Sequence, residues 1–236
     1  MPDTTRFSLP LLAPAQAQKH VTVNEALARL DALVQLALKS VTTTTPPLTP
    51  AEGDAYGVPA GAVNDWAGHE GQIAIFVNAG WAFVPATQGM RAYVEDQGAW
   101  AVFDGGQWIG GMLTLSPHGA GMVAQAIEID HAVTAGASST VALALPAQSL
   151  VFAVTGRVTA DITGTATGFS LGVGGSANRY GSGLSLMQGA WLRGITGTPV
   201  TYYGAEDLIL TAEGGSFTGG EIRLVIHAMQ FALPTE

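Results

Sequence analysis

Ile222-Arg223-Leu224-Val225-Ile226-His227-Ala228-Met229 decides the fold. Ile222, Leu224, Ile226 and Ala228 fall on one side of an extended chain, and Arg223, Val225 and His227 on the other. A period of two is that of a strand with one face on a core and one toward solvent. Seven further runs lead up to it from about Ala124: Gln125–Ile129, Ser139–Leu143, Leu150–Val158, Gly168–Val173, Leu184–Leu186, Thr201–Tyr203 and Leu208–Thr211. Glu213-Gly214-Gly215-Ser216-Phe217-Thr218-Gly219-Gly220 is the turn before the last strand. Eight strands at this spacing predict a β-sandwich or jelly roll over residues 116–236.

Further upstream, residues 51–111 repeat a turn followed by an indole: Asn78-Ala79-Gly80-Trp81, Asp96-Gln97-Gly98-Ala99-Trp100 and Asp104-Gly105-Gly106-Gln107-Trp108. Asx and Gly supply the positive φ angles of tight hairpins. The flanks Gln72–Val77, Ala82–Val84, Met90–Val94 and Trp100–Phe103 read as strands, so residues 51–115 are expected to form a small antiparallel β module. Its tryptophans either fill the core beside each turn or form an aromatic row for sugar; core filling is the commoner use. His69-Glu70 has no second ligand at helical spacing and reads as a solvated loop pair.

At the other end, residues 20–41 carry the one sustained helical period. Thr22 and Glu25 have the form of a capping box. Val23, Leu27, Leu30, Val34, Ala37 and Val41 step by 4, 3, 4, 3 and 4, as in a coiled-coil seam. Leu33, Leu36 and Leu38 widen the apolar face. Two readings stand: the helix packs on its own β module, or it assembles copies of the chain. Pro10 and Pro14 make the segment before it an extended arm, so residues 1–41 read as arm and anchoring, oligomerising helix. Thr42-Thr43-Thr44-Thr45-Pro46-Pro47-Leu48-Thr49-Pro50 reads as a stiff linker over 42–50. The fold class expected is therefore mainly β: an N-terminal helix, a small hairpin module and a C-terminal β-sandwich or jelly roll.

Composition narrows the function. The 236 residues are 47% apolar and 11% charged, with 31 glycines and 12 prolines. A net charge of −9, from 18 acids and 9 bases, argues against a nucleic-acid-binding surface. With no cysteine, disulfides and thiolate zinc sites are excluded. Neither a secretory signal nor an apolar run of the ~18 residues that span a bilayer is present, so membrane insertion is not expected. No cofactor, no metal and no catalytic residue is expected.

Polar and aromatic residues concentrate in the C-terminal module. Asn178, Arg179, Tyr180, Trp191, Arg193, Tyr202, Tyr203, Glu206 and Asp207 are expected in or beside loops. Rings, planar donors and carboxylates together suit a saccharide: the apolar sugar face packs on a ring, and hydroxyls take the polar groups. Alternatively, Arg179 and Tyr180 tie down a loop and Trp191 is core. Glu206 and Asp207 are adjacent, so a strand would turn them to opposite faces, and none of the acids here has catalytic spacing.

Leu9-Pro10-Leu11-Leu12, Pro14-Ala15-Gln16-Ala17-Gln18-Lys19-His20-Val21-Thr22-Val23-Asn24-Glu25-Ala26-Leu27, Pro50-Ala51-Glu52-Gly53-Asp54, Trp66-Ala67-Gly68-His69-Glu70-Gly71-Gln72 and Asp104-Gly105-Gly106-Gln107-Trp108 resemble an uncharacterised family of phage and prophage proteins, also found in gene transfer agents. The Ala-Gln-Lys-His block is the specific part. Residues 86–90, Ala-Thr-Gln-Gly-Met, depart from the family's pattern. Arg179-Tyr180-Gly181, Ile195-Thr196-Gly197-Thr198-Pro199 and Gly215-Ser216-Phe217-Thr218-Gly219-Gly220, with Arg223, Leu224 and His227, resemble the C-terminal domain of such proteins. The resemblance implies a head spike or fibre on a phage-like particle that attaches to capsular or cell-surface polysaccharide. It implies a homo-oligomer, trimer or pentamer, held to capsid or another spike protein through the arm. Such a protein would be made in the cytoplasm and released by lysis. The alternatives are a capsule-depolymerising glycosidase and a ligand-free structural decoration.

Overall fold

The structure, a computed structural model, describes residues 3–12 and 19–234. The stretch of the expected arm at residues 13–18 lies outside the described residues. The chain divides into two compact units, residues 1–115 and 116–236.

The first unit opens with a tight turn in place of an extended arm. Asp3 bridges Pro10, and the Thr4 N–H donates to the Leu9 carbonyl at 2.9 Å. Asp31 pins this turn. Its buried carboxylate accepts from the Thr4 hydroxyl and from the Arg6 and Phe7 N–H groups, each at 2.7 Å. The Arg6 guanidinium in turn donates to the carbonyls of Ala32 at 2.9 Å and Gln35 at 3.0 Å. A cation on the last carbonyls suits a helix C-terminus.

That cap helps explain why helix α1 spans Lys19–Leu33 and not residues 20–41. Gln35 follows in the left-handed region, φ 48°, and the chain leaves the helix to form strand β1, Ala37–Leu38. Thr22 therefore lies inside the helix, so the expected capping box does not start it. Leu36 and Leu38 are buried with Ala32, Ile73, Ile75 and Ala92, and Leu33 and Val41 pack against that core. Ala37 and Val41 are thus off the expected helical seam. Val23, Leu30 and Val34 are exposed, Leu30 by 52%, and Leu27 is half-buried. Residues 42–50 carry no helix or strand; Ser40 Oγ accepts from the Thr42 and Thr43 N–H groups.

Strands β2 (Ala55–Gly57), β3 (Gln72–Val77) and β4 (Gly80–Pro85) form one antiparallel sheet. Strands β5 (Arg91–Val94), β6 (Ala99–Phe103) and β7 (Trp108–Gly110) form another, whose edge β1 joins β5 in parallel. The β3–β4 loop is Asn78-Ala79, with both residues at positive φ, as a two-residue type I′ hairpin requires. Gly80 is already in the strand. Ala79 tolerates the strained angle because Glu52 accepts its N–H at 2.9 Å and that of Asn78 at 3.1 Å. Strand β8 is Met112–Leu115.

Eight long strands make the second unit: β9 (Gly121–Ala132), β10 (Ser138–Leu145), β11 (Ser149–Gly164), β12 (Gly168–Val173), β13 (Ser176–Leu184), β14 (Trp191–Tyr202), β15 (Glu206–Glu213) and β16 (Phe217–Ala232). They pair first with last, second with seventh, third with sixth and fourth with fifth. This nested pairing rolls one long hairpin into two sheets, ordered β10-β15-β12-β13 and β14-β11-β16-β9, a jelly roll. One core fills it, with Leu171, Leu208 and Leu210 from the first sheet against Val154, Ile222, Leu224 and Ile226 from the second. The fold class is mainly β, as expected.

Two strands sit differently from expectation. Residues 185–187 lie after β13, and Thr201–Tyr202 is only the end of β14. Both strands are sheet edges. An edge tolerates the Pro199, Gly194 and Gly197 that hide β14 in the sequence. Gly194 is needed there, because a Cβ would come within 2.3 Å of the Tyr180 carbonyl oxygen. Among the described residues no helix is long and apolar enough to cross a membrane.

Candidate functional site

The outer face of the β14-β11-β16-β9 sheet follows from its register. Directly opposed residues of an antiparallel ladder share a face. Trp191 opposes Arg157, Arg157 opposes Arg223, and Arg223 opposes Asp130, giving one row across all four strands. The next row is Arg193, Thr155, Val225 and Glu128; the third is Ile195, Ala153, His227 and Ala126. The alternate residues Val154, Val158, Leu192, Ile222 and Leu224 are buried on the other side.

The first row is held by its own contacts. The Arg157 guanidinium carbon lies 4.6 Å over the Trp191 ring, while the indole stays 69% exposed. Arg223 grips Asp130 with two hydrogen bonds, Nε at 2.6 Å and Nη2 at 2.7 Å, and reaches Glu128 at 3.6 Å. That grip holds the Asp130 carboxyl below its ordinary value and raises the Arg223 guanidinium. Behind it, Thr155 Oγ1 and His227 Nε2 are 2.9 Å apart. The row ends in a shallow groove of about 300 Å³ lined by Asp130, His131, Thr159, Glu221 and Arg223. Burial pushes the His131 imidazole down. Ser139 Oγ accepts from both Thr134 N and Thr134 Oγ1, so its own proton goes to His131 Nε2, 2.8 Å away.

The nine expected site residues do not form one site. Trp191 and Arg193 stand on the outer face, in a strand. Tyr180 and Tyr202 are core: Tyr180 is 2% exposed, and their hydroxyls hydrogen-bond each other at 2.8 Å. Burial and that bond push the Tyr180 phenol well up. Neither ring reaches a surface ligand, which corrects their place in the site. Asn178 and Arg179 are exposed on β13 of the other sheet, and Tyr203 is exposed just beyond β14. Glu206 and Asp207 open β15, where Asp207 accepts the Leu143 N–H at 2.7 Å.

Arg157, Asp130 and Glu128 were not anticipated. Their signal was the outward set Arg223, Val225 and His227, whose cross-strand partners needed a register the sequence does not print. In the first unit, Trp81 packs with Trp66, Tyr56 and Phe76, and Trp108 with Phe103, whereas Trp100 is 60% exposed beside Tyr93. His69 is not a solvated loop residue: its ring stacks on Phe83 at 3.6 Å.

A family model described as a protein of unknown function (DUF2793) matches residues 23–109. No curated protein matches the chain. Among solved structures, a chain of the cyanophage Pam1 capsid asymmetric unit is similar at 20% identity and a TM-score of 0.31, over 47% of this chain and 84% of that one. The stretch similar to the DUF2793 family thus covers most of the helix and most of the hairpin module and stops short of the jelly roll.

Proposed function

We propose that this chain is a non-enzymatic attachment subunit on the surface of a phage-like particle, a spike or fibre whose jelly roll binds cell-surface polysaccharide. The observation that carries the reading is the Trp191–Arg157–Arg223–Asp130 row: an open indole with planar donors and a carboxylate on one sheet face. Stacking and fork-like hydrogen bonding are what sugar rings and hydroxyls ask for. The resemblance of residues 8–110 to phage and prophage proteins supplies the particle. Jelly rolls serve in both capsids and lectins, a likeness of fold alone.

Assembly belongs to the helix. Val23, Leu27, Leu30 and Val34 keep the 4-3-4 spacing and face away from the core that Ala32 and Leu36 join. Two heptads are shorter than the run that sustains a coiled coil unaided, so further contacts would complete a trimer or pentamer. Copies in one oligomer turn weak sugar sites into avid ones. A depolymerase reading has less behind it, since an acid catalyst must hold its proton and Arg223 keeps Asp130 ionised.

The test is retention of the full chain on capsular polysaccharide from candidate host cells. Trp191→Ala is expected to abolish retention with the fold intact by circular dichroism, and no reducing ends should appear. Unchanged retention of the variant removes this face from the function, and steady release of reducing ends makes the chain an enzyme.

A further inference from the structure

We propose that the outer face selects anionic saccharides, units bearing a carboxylate or phosphate, which Arg157 and Arg193 hold beside Trp191. The inference rests on the glycan-binding reading above and names the sugar class it takes. The chain carries only nine bases against 18 acids, and those after residue 115 are Arg157, Arg179, Arg193 and Arg223. Three of these four share this one face, on a molecule that is otherwise acidic.

The three are not equivalent. Arg223 is neutralised by Asp130 and Glu128. It lies directly opposite Arg157, a like-charge pairing that disfavours a sheet unless one member is compensated. Arg157 is left uncompensated. Among the described residues its guanidinium has no hydrogen-bond or ion-pair partner and lies over the Trp191 ring. The indole contact holds the guanidinium beside the ring and leaves its N–H groups for a carboxylate or phosphate. The Arg193 side chain likewise has no hydrogen-bond or ion-pair partner among the described residues. It opposes Thr155, which puts it diagonal to Arg157, about 7 Å away along the ladder. It also lies two residues beyond Trp191 on the same strand. Indole, fork and second cation thus surround a space of one sugar unit. Nucleic acid is a poor fit, because its affinity comes from many phosphate contacts and only two cations here are uncommitted.

The experiment measures binding of the full chain to oligogalacturonate, its methyl ester, phosphorylated and neutral bacterial surface oligosaccharides, and single-stranded DNA. Acidic sugars should bind at least about tenfold tighter than neutral ones, the methyl ester included, and more weakly as salt rises. Arg157→Gln/Arg193→Gln should lower acidic-sugar affinity by about tenfold or more, with the exposed Arg179→Gln as an unchanged control. The uronate and phosphate arms tell which anion is preferred. Equal binding of neutral sugars, lost in Trp191→Ala but kept in the double variant, overturns the anion selectivity and leaves the glycan reading standing. Equal binding of DNA overturns the saccharide selectivity. Binding to no saccharide overturns both readings.

Discussion

Two tyrosines and one aspartate show what single residues decide. Tyr180 sits between Arg179 and Gly181 in a polar, glycine-rich stretch, where nothing local marks it as core. It is buried because β14 covers it, and Gly194 makes room for the approach. Its hydroxyl satisfies that of Tyr202, so Tyr180→Phe strands a buried partner. Chemical denaturation should show a loss of about 1–3 kcal/mol, with saccharide binding unchanged. Asp31 ties the N-terminal turn to the helix end. Burial alone would raise its carboxyl, but hydrogen bonds from Thr4, Arg6 and Phe7 and the Arg6 charge outweigh this and lower it. A depressed folded value means stability that is complete above the unfolded value of about 3.9 and lost as pH falls through the folded one. Asp31→Asn should therefore melt below the parent at pH 7, by about 1–3 kcal/mol, and the gap should narrow below about pH 4.

At the scale of elements, the helix was legible in period but not in length. The seam spacing runs unbroken from Val23 to Val41 in the sequence, yet the chain turns into a strand after Gln35. What caps the helix is Arg6, 25 or more residues upstream, and what claims Leu36 and Leu38 is the hairpin core. Such distant partners leave no mark on a local pattern. The reading that packs the helix on its own module holds for one face; the Val23–Val34 seam faces out, and assembly of copies through it is the proposal. Leu30→Glu should leave the unfolding free energy of the protomer nearly unchanged, within about 0.5 kcal/mol. Light scattering should find it smaller than the parent oligomer; a parent that is monomeric at micromolar concentration would end the assembly account. The central strands β12 and β16 were plain from alternation and apolar runs. The edges β13 and β14 were not, since β14 carries Pro199 with Gly194 and Gly197, and an edge strand admits the proline that a central one does not.

For the whole molecule, strand number and spacing pointed to a sandwich or jelly roll, and the nested pairing of β9–β16, which no local pattern carries, makes it the jelly roll. The candidate site was half legible. Trp191 and Arg193 stood out by residue type, but Arg157, Arg223, Asp130 and Glu128 join them only through pairings that bring residues far apart in sequence onto one sheet face. The central claim is that saccharide meets this molecule at the sheet face around Trp191 and not at the turn tryptophans of the hairpin module. The chain's five tryptophans can be resolved by their indole N–H signals in nitrogen-15-labelled protein, with Trp191→Ala identifying one of them. Titration with fragments of host capsular polysaccharide should shift the Trp191 signal and leave those of Trp66, Trp81, Trp100 and Trp108 in place. A shift confined to Trp100 or Trp81, with Trp191 unmoved, would contradict the account.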